Sequence, residues 1–178
     1  AQNMNITSGA TKGSTRIYVD TSNGNILQYS PGSLILIDQD NGDGTENIPS
    51  YMGRTIGQTN VVAAKGSNYI DVVTPLNYNY NSAFSPQVRR YWTYLANIGI
   101  ENLEINRVQP GNGGNNIDIQ ACVNCWVKNV KSKDVRNWHV KLSATYGNVV
   151  RDSWFEQTWQ YNCGGNACYG VALFGKTS

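Results

Sequence analysis

Apolar and polar residues alternate over short stretches from Asn97 to Leu173, and the alternating stretches recur. Ile100-Glu101-Asn102-Leu103-Glu104-Ile105 aligns with Val127-Lys128-Asn129-Val130-Lys131-Ser132 and with Val150-Arg151-Asp152-Ser153-Trp154-Phe155, at offsets of 27 and 23 residues. A second motif follows each copy: Ile117-Asp118-Ile119, Val140-Lys141-Leu142 and Val171-Ala172-Leu173, at offsets of 23 and 31. A period of two is the signature of a strand with one buried face. Asn, Gly, Asp and Ser fill the gaps, so the strands are joined by turns rather than helices.

Two strands per repeat, recurring every 20–30 residues or so, predict a solenoid. The expected fold is all-β: a right-handed parallel β-helix of about three rungs, in which equivalent positions stack about 4.8 Å apart. Asn102, Asn129 and Asp152 share one repeat position. They are either a hydrogen-bonded side-chain ladder along the axis or ordinary turn residues.

The first half lacks this repeat. Thr15–Val19, Ser33–Ile37, Asn60–Ala64 and Tyr69–Val73 read as strands, the last two joined across the hairpin-like turn Lys65-Gly66-Ser67-Asn68. The expected division is a leader over 1–11, which reads also as an entry strand, an antiparallel β subdomain and linker over 12–86, and parallel rungs over 87–178. The subdomain would shield one apolar end of the solenoid. Pro75–Pro86 reads as an irregular linker, and Gln87–Trp92 as the start of the first rung. The closing residues fall just after a strand has opened a new rung, so the expected end is incomplete. A second copy stacked head to tail, a second chain, or further residues of a longer chain would complete it.

Composition narrows the function classes. A net charge of +2, with no run of Lys or Arg, argues against a nucleic-acid partner. No apolar run approaches the roughly 18 residues of a membrane span. Five Trp and eleven Tyr are many for 178 residues. The first residues, Ala1-Gln2-Asn3, fit a cleaved secretory signal or a trimmed chain, and the expected location is extracellular. Asn5-Ile6-Thr7 is a glycosylation sequon. Cys122 and Cys125 form a C-x-x-C, and Cys163 and Cys168 a C-x-x-x-x-C. Disulfides lead this reading, with free buried thiols and a four-thiolate zinc site as alternatives.

Several stretches together carry a resemblance. An N-terminal β insertion containing "SLILIDQDN", then "FSPQVRRY", "IGIENLEI" and "CVNCWVKNV", resembles secreted bacterial proteins of the pectate-lyase-like, right-handed β-helix superfamily, over roughly residues 10–178. That superfamily includes polysaccharide lyases, glycoside hydrolases, tailspike-like proteins and β-helices without catalysis, so the resemblance speaks to fold more than to activity. It implies a polysaccharide partner, and for a lyase a basic catalytic residue, often with calcium held by acidic groups.

The candidate chemistry follows from which face each residue takes. If Val140 and Leu142 point inward, His139 and Lys141 point outward, next to Asp118 and Gln120 of the preceding rung. A carboxylate beside His139, the only histidine, and Lys141 is a group able to move a proton. The catalytic candidates are therefore His139, Lys141, Asp118 and Glu156, although no carboxyl pair stands out as a glycosidase couple. Trp138, Trp154, Trp159 and Tyr161 are candidates for stacking on sugar rings. Trp126 and Trp138 read equally well as plugs at rung edges. The loop Asp38-Gln39-Asp40-Asn41-Gly42-Asp43-Gly44 offers Asp38, Asp40 and Asp43 as calcium ligands, but its spacing departs from the EF-hand pattern and an acidic turn without metal reads as well. The two function classes carried forward are an extracellular carbohydrate-active protein, of lyase or hydrolase type, and a structural β-helix that assembles into a fibre or is completed by a second chain.

Overall fold

The computed structural model describes residues 3–22, 24–41, 53–108, 114–158 and 169–174. Two units divide between Thr93 and Tyr94. Both are built from strands; the described helical structure is two 3-10 turns, Ile26–Gln28 and Ser82–Phe84, each capped by an asparagine side chain.

The first unit is a closed antiparallel barrel of six strands. They are β1 (Asn3–Ser8), β2 (Arg16–Val19), β3 (Leu34–Gln39), β4 (Ile56–Lys65), β5 (Tyr69–Val72) and β6 (Gln87–Arg90), in the order β1-β2-β5-β4-β3-β6 with β6 returning to β1. Alternation explains the core: Met4, Ile6, Ile17, Val19, Ile35, Ile37, Val62, Ile70, Val72 and Val88 fill the interior while their neighbours in sequence face away. The expected antiparallel subdomain is present, with boundaries that differ from those expected. Of the two readings of the first stretch, residues 3–8 take the entry strand: β1 brings Met4 and Ile6 into the core. Gln87–Arg90 does not begin a parallel rung; it closes the barrel, with Val88 opposite both Ile37 and Met4.

The stretch after Pro75 is more than a linker. Leu76 and Tyr80 are buried in the barrel core. The backbone between Thr74 and Asn81 is satisfied by three buried side-chain amides. Asn60 bonds both the N–H and the carbonyl of Thr74, Gln58 accepts from the Asn77 N–H, and Gln39 from the Asn81 N–H. An irregular segment packed against a core needs such partners, because an unpaired buried amide costs about 1–3 kcal/mol.

Every strand pairing among the described residues of the second unit is parallel. Its strands are β7 (Leu95–Ala96), β8 (Gly99–Asn106), β9 (Ile117–Gln120), β10 (Cys122–Val123), β11 (Trp126–Val135), β12 (Trp138–Ser143), β13 (Val149–Arg151), β14 (Trp154–Thr158) and β15 (Tyr169–Phe174). They form three sheets: β7 with β10; β8, β13 and β14 all on β11; and β9-β12-β15. The sequence offsets are the register. Val127 lies opposite Ile100 and Val150, Ser132 opposite Ile105 and Phe155, and Val140 opposite Ile117 and Val171. Val127, Val130, Val140, Leu142 and Ile117 form the core, each buried valine contributing about 2 kcal/mol.

Stacked left-handed residues turn the corners between these strands. Asn102, Asn129 and Asp152 have φ of 56°, 50° and 51°, and the Asn129 amide donates to the Asn102 side-chain oxygen at 2.8 Å, so that pair forms the expected ladder. Asn97 and Asn124, Asp134 and Gln157, and Ala121 and Ala144 mark further corners with positive φ. Asn and Asp tolerate this conformation, but alanine gains nothing from it. Ala144→Gly is therefore expected to stabilise the unit by about 1 kcal/mol, the relief of strain exceeding the added chain entropy. A higher urea midpoint at unchanged m would show it, and a lower midpoint would refute it.

Candidate functional site

The outer face of β11 carries an open groove. Trp126 and Lys128 alternate with inward Val127, and the register sets Trp126 between Gly99 and Val149, and Lys128 between Glu101 and Arg151. Gly99 makes this possible: a Cβ there would lie 2.1 Å from the indole, so only glycine leaves room for the ring on the outer face. The indole N–H donates to Glu101, fixing the ring across the strands. Glu101, Trp126, Lys128, Val149 and Arg151 line an open groove of about 510 Å³. A flat aromatic face, a carboxylate and two cations can stack on a sugar ring and bond its hydroxyls.

Sequence reasoning reads Trp126 as a plug at a rung edge, weighs Glu101 only among carboxyl groups that form no glycosidase couple, and gives Lys128 and Arg151 no role. The available signal was Gly99, 27 residues before Trp126 and at the same repeat position.

The expected outer cluster of Asp118, Gln120, His139 and Lys141 forms in part. Lys141 reaches Asp118 at 3.5 Å, and Asp118 also accepts from Asn115 at 2.9 Å and Gln120 at 3.4 Å. Trp138 meets Phe174 edge to face at 4.7 Å, with the Lys141 ammonium 5.8 and 5.5 Å from the two rings. His139 does not join them. It is 2% exposed, stacks on Phe155 at 5.4 Å and pairs through Nδ1 with the Ser132 hydroxyl at 2.8 Å. Ser132 also accepts from Asn116 at 2.9 Å, and the direction of its bond with Nδ1 follows the ring tautomer. The ring also bonds the Gln157 backbone. Burial pushes the imidazole pKa down, opposed by the Asp134 charge and the Gln157 bond. The outward orientation expected of His139 is thus corrected: alternation resets at the corner, and both His139 and Val140 face inward.

Glu156 lies on the outer face of β14. The Trp154 indole donates to it at 2.8 Å, and Lys131 and Lys133 lie at 3.4 and 3.2 Å. These contacts, the Trp154 bond foremost, hold its carboxyl below the ordinary pKa. Lys133 also pairs with Glu104 at 3.0 Å, and its pKa is raised, mainly by that bond. Glu104 and Glu156 thus converge on one ammonium, their oxygens about 6 Å apart at most. Trp154 is 64% exposed beside them.

Asp38 and Asp40 are held by arginines. Arg54 bonds Asp38 at 2.8 Å and Asp40 at 2.8 Å, and Arg89 takes the second Asp38 oxygen. Guanidinium N–H groups thus meet the carboxylate oxygens of the two residues that the calcium reading named. No cluster of three metal-ligating side chains occurs among the described residues. Cys122 and Cys125 form a disulfide. Asp43, Trp159, Tyr161, Cys163 and Cys168 lie outside the described residues.

No protein-family model matches the sequence. No curated protein matches it either. Solved structures do. The tailspike gp61 of Pseudomonas phage phi297 is similar with a TM-score of 0.66 at 10% identity, over 98% of this chain and 31% of that one. The tailspike gp49 of Pseudomonas phage LKA1 is similar with a TM-score of 0.54 at 18% identity, over 95% of this chain and 28% of that one. The chain therefore spans about a third of the length of these tailspikes, and at such identities the likeness is one of fold.

Proposed function

We propose that the chain is part of an extracellular polysaccharide-binding protein of tailspike kind, whose parallel unit is a stretch of right-handed β-helix of about three rungs. The register of β8, β11 and β13 with β14, and of β9, β12 and β15, supports that architecture. The observation that carries the function is the Trp126 groove: an indole held across the strands by Glu101, with Lys128 and Arg151 alongside. Such a surface grips successive sugars of a chain by stacking and by bonds to hydroxyls. Within this reading, lyase or hydrolase chemistry would draw on the outward clusters, Lys141 with Asp118 and Glu156 with Glu104.

The test is binding of the full chain to a panel of bacterial surface polysaccharides. Trp126→Ala is expected to weaken the best ligand by at least about tenfold, a loss of about 1.4 kcal/mol. Unchanged affinity at unchanged thermal stability would contradict the assignment.

A second reading rests on β15. Leu173 continues the inward column of Ile119 and Leu142 yet is 68% exposed. An assembly in which a second chain stacks its own strand on β15 would bury it, and the native mass in solution would show a multiple of the chain mass.

A further inference from the structure

We propose that the barrel carries a second saccharide site, a groove at the end of β6 that takes a sugar bearing an oxyanion, carboxylate or phosphate. Leu36, Arg89, Arg90, Tyr91 and Trp92 line a cavity of about 250 Å³. Trp92 is 53% exposed, and the Arg90 guanidinium lies 5.1 Å from its ring. The two groups form one surface, an aromatic ring with a cation over one of its faces.

The charge balance sets the ligand class. Arg89 spends one nitrogen on Asp38. Arg90 has no carboxylate partner in any ion pair among the described residues. The Nε–H groups of both arginines are buried without a protein acceptor. Buried donors of this kind call for an acceptor, and a planar guanidinium matches the paired oxygens of a carboxylate or phosphate. A sugar ring laid on Trp92 would carry such a group to Arg90. A neutral sugar would cover the same indole but offer those donors only hydroxyl oxygens, weaker acceptors than an oxyanion. The site is built from barrel residues alone and does not depend on the Trp126 groove.

The experiment is an NMR titration of the full chain with glucuronic acid, glucose phosphate and glucose, read at the Trp92 indole signal and assigned with Trp92→Phe. At least one anionic sugar is expected to bind about tenfold more tightly than glucose, and the tighter of the two identifies the anion. Arg90→Gln should remove that advantage while leaving the thermal midpoint in place, and Trp126→Ala should leave it intact. Absence of a saturable shift with either anion, equal binding of glucose, or loss of binding through Trp126→Ala rather than Arg90→Gln would overturn the proposal. If Arg90→Gln lowers stability, Trp92→Ala gives the same reading: retained tenfold selectivity for the anion would overturn it.

Discussion

Asp38→Ala is expected to destabilise the barrel by about 3 kcal/mol or more, one of the largest effects of any single change in the chain. Asp38 is 0% exposed and bonds two guanidinium groups, from Arg54 and Arg89, on its two oxygens. Removing it leaves two cations facing each other in a partly covered site. The two arginines keep some exposure, 19% and 32% of their side chains, so water relieves part of the repulsion and the cost sits at the lower end of the range for buried pairs. Arg54 also bonds the Asp38 and Ser85 carbonyls at 3.0 and 2.6 Å, which ties β3 to the turn before β6. Urea unfolding of the variant checks the figure; a shift below about 1 kcal/mol would mean that the charges are not mutually dependent. The same experiment with added calcium bears on the metal expectation, since an arginine-paired Asp38 predicts no stabilisation of the parent chain through that residue.

His139→Ala is the second large effect, about 3 kcal/mol against the parallel unit. The substitution removes a ring stacked on Phe155, leaves the Ser132 hydroxyl with only its Asn116 bond, and takes the His139 partner from the Gln157 backbone. The same burial gives a pH dependence with a definite sign. The folded imidazole has its pKa pushed below the ordinary value of about 6.5, so the unfolded chain takes up a proton first as pH falls. The contribution of neutral His139 is complete above about pH 6.5 and is lost as pH drops from there toward the folded value. Ser132, Asn116 and Phe155 around the ring are uncharged, and Asp134 is the acidic group that limits the shift. Stability of the parent should therefore fall between neutral and mildly acid pH, and His139→Asn should flatten that part of the curve. A parent curve that is level across this window would contradict a neutral, buried histidine.

The parallel unit was largely legible because a stacked structure repeats its contacts. Positions one turn apart face the same neighbours, so Ile100, Val127 and Val150 could be matched from offsets alone, and the register agrees. The barrel was less so. β1 is mostly polar, and its closure against β6 joins residues more than eighty positions apart, which no local pattern reports. His139 was misplaced for a specific reason. Strict alternation holds inside one straight strand, and the chain bends after the left-handed residue Asp134. The pairing of Val140 with Ile117 sets His139 level with Asn116, and both bond Ser132. Two polar residues at one repeat position, each just before an inward valine or isoleucine, were the visible trace of an internal polar row. Trp126 needed a different comparison, across rows rather than along one: its room comes from Gly99 in the row before.

The central claim is that sugar binds on the outer face of β11, and the Trp126 indole N–H is the direct reporter because it is bonded to Glu101 inside the groove. With the signal assigned by Trp126→Phe, titration with the oligosaccharide that binds best should move it in proportion to saturation, while the Trp154 indole, on the face around Glu156, should move far less. A Trp126 signal that stays in place while the ligand saturates another site would contradict the account.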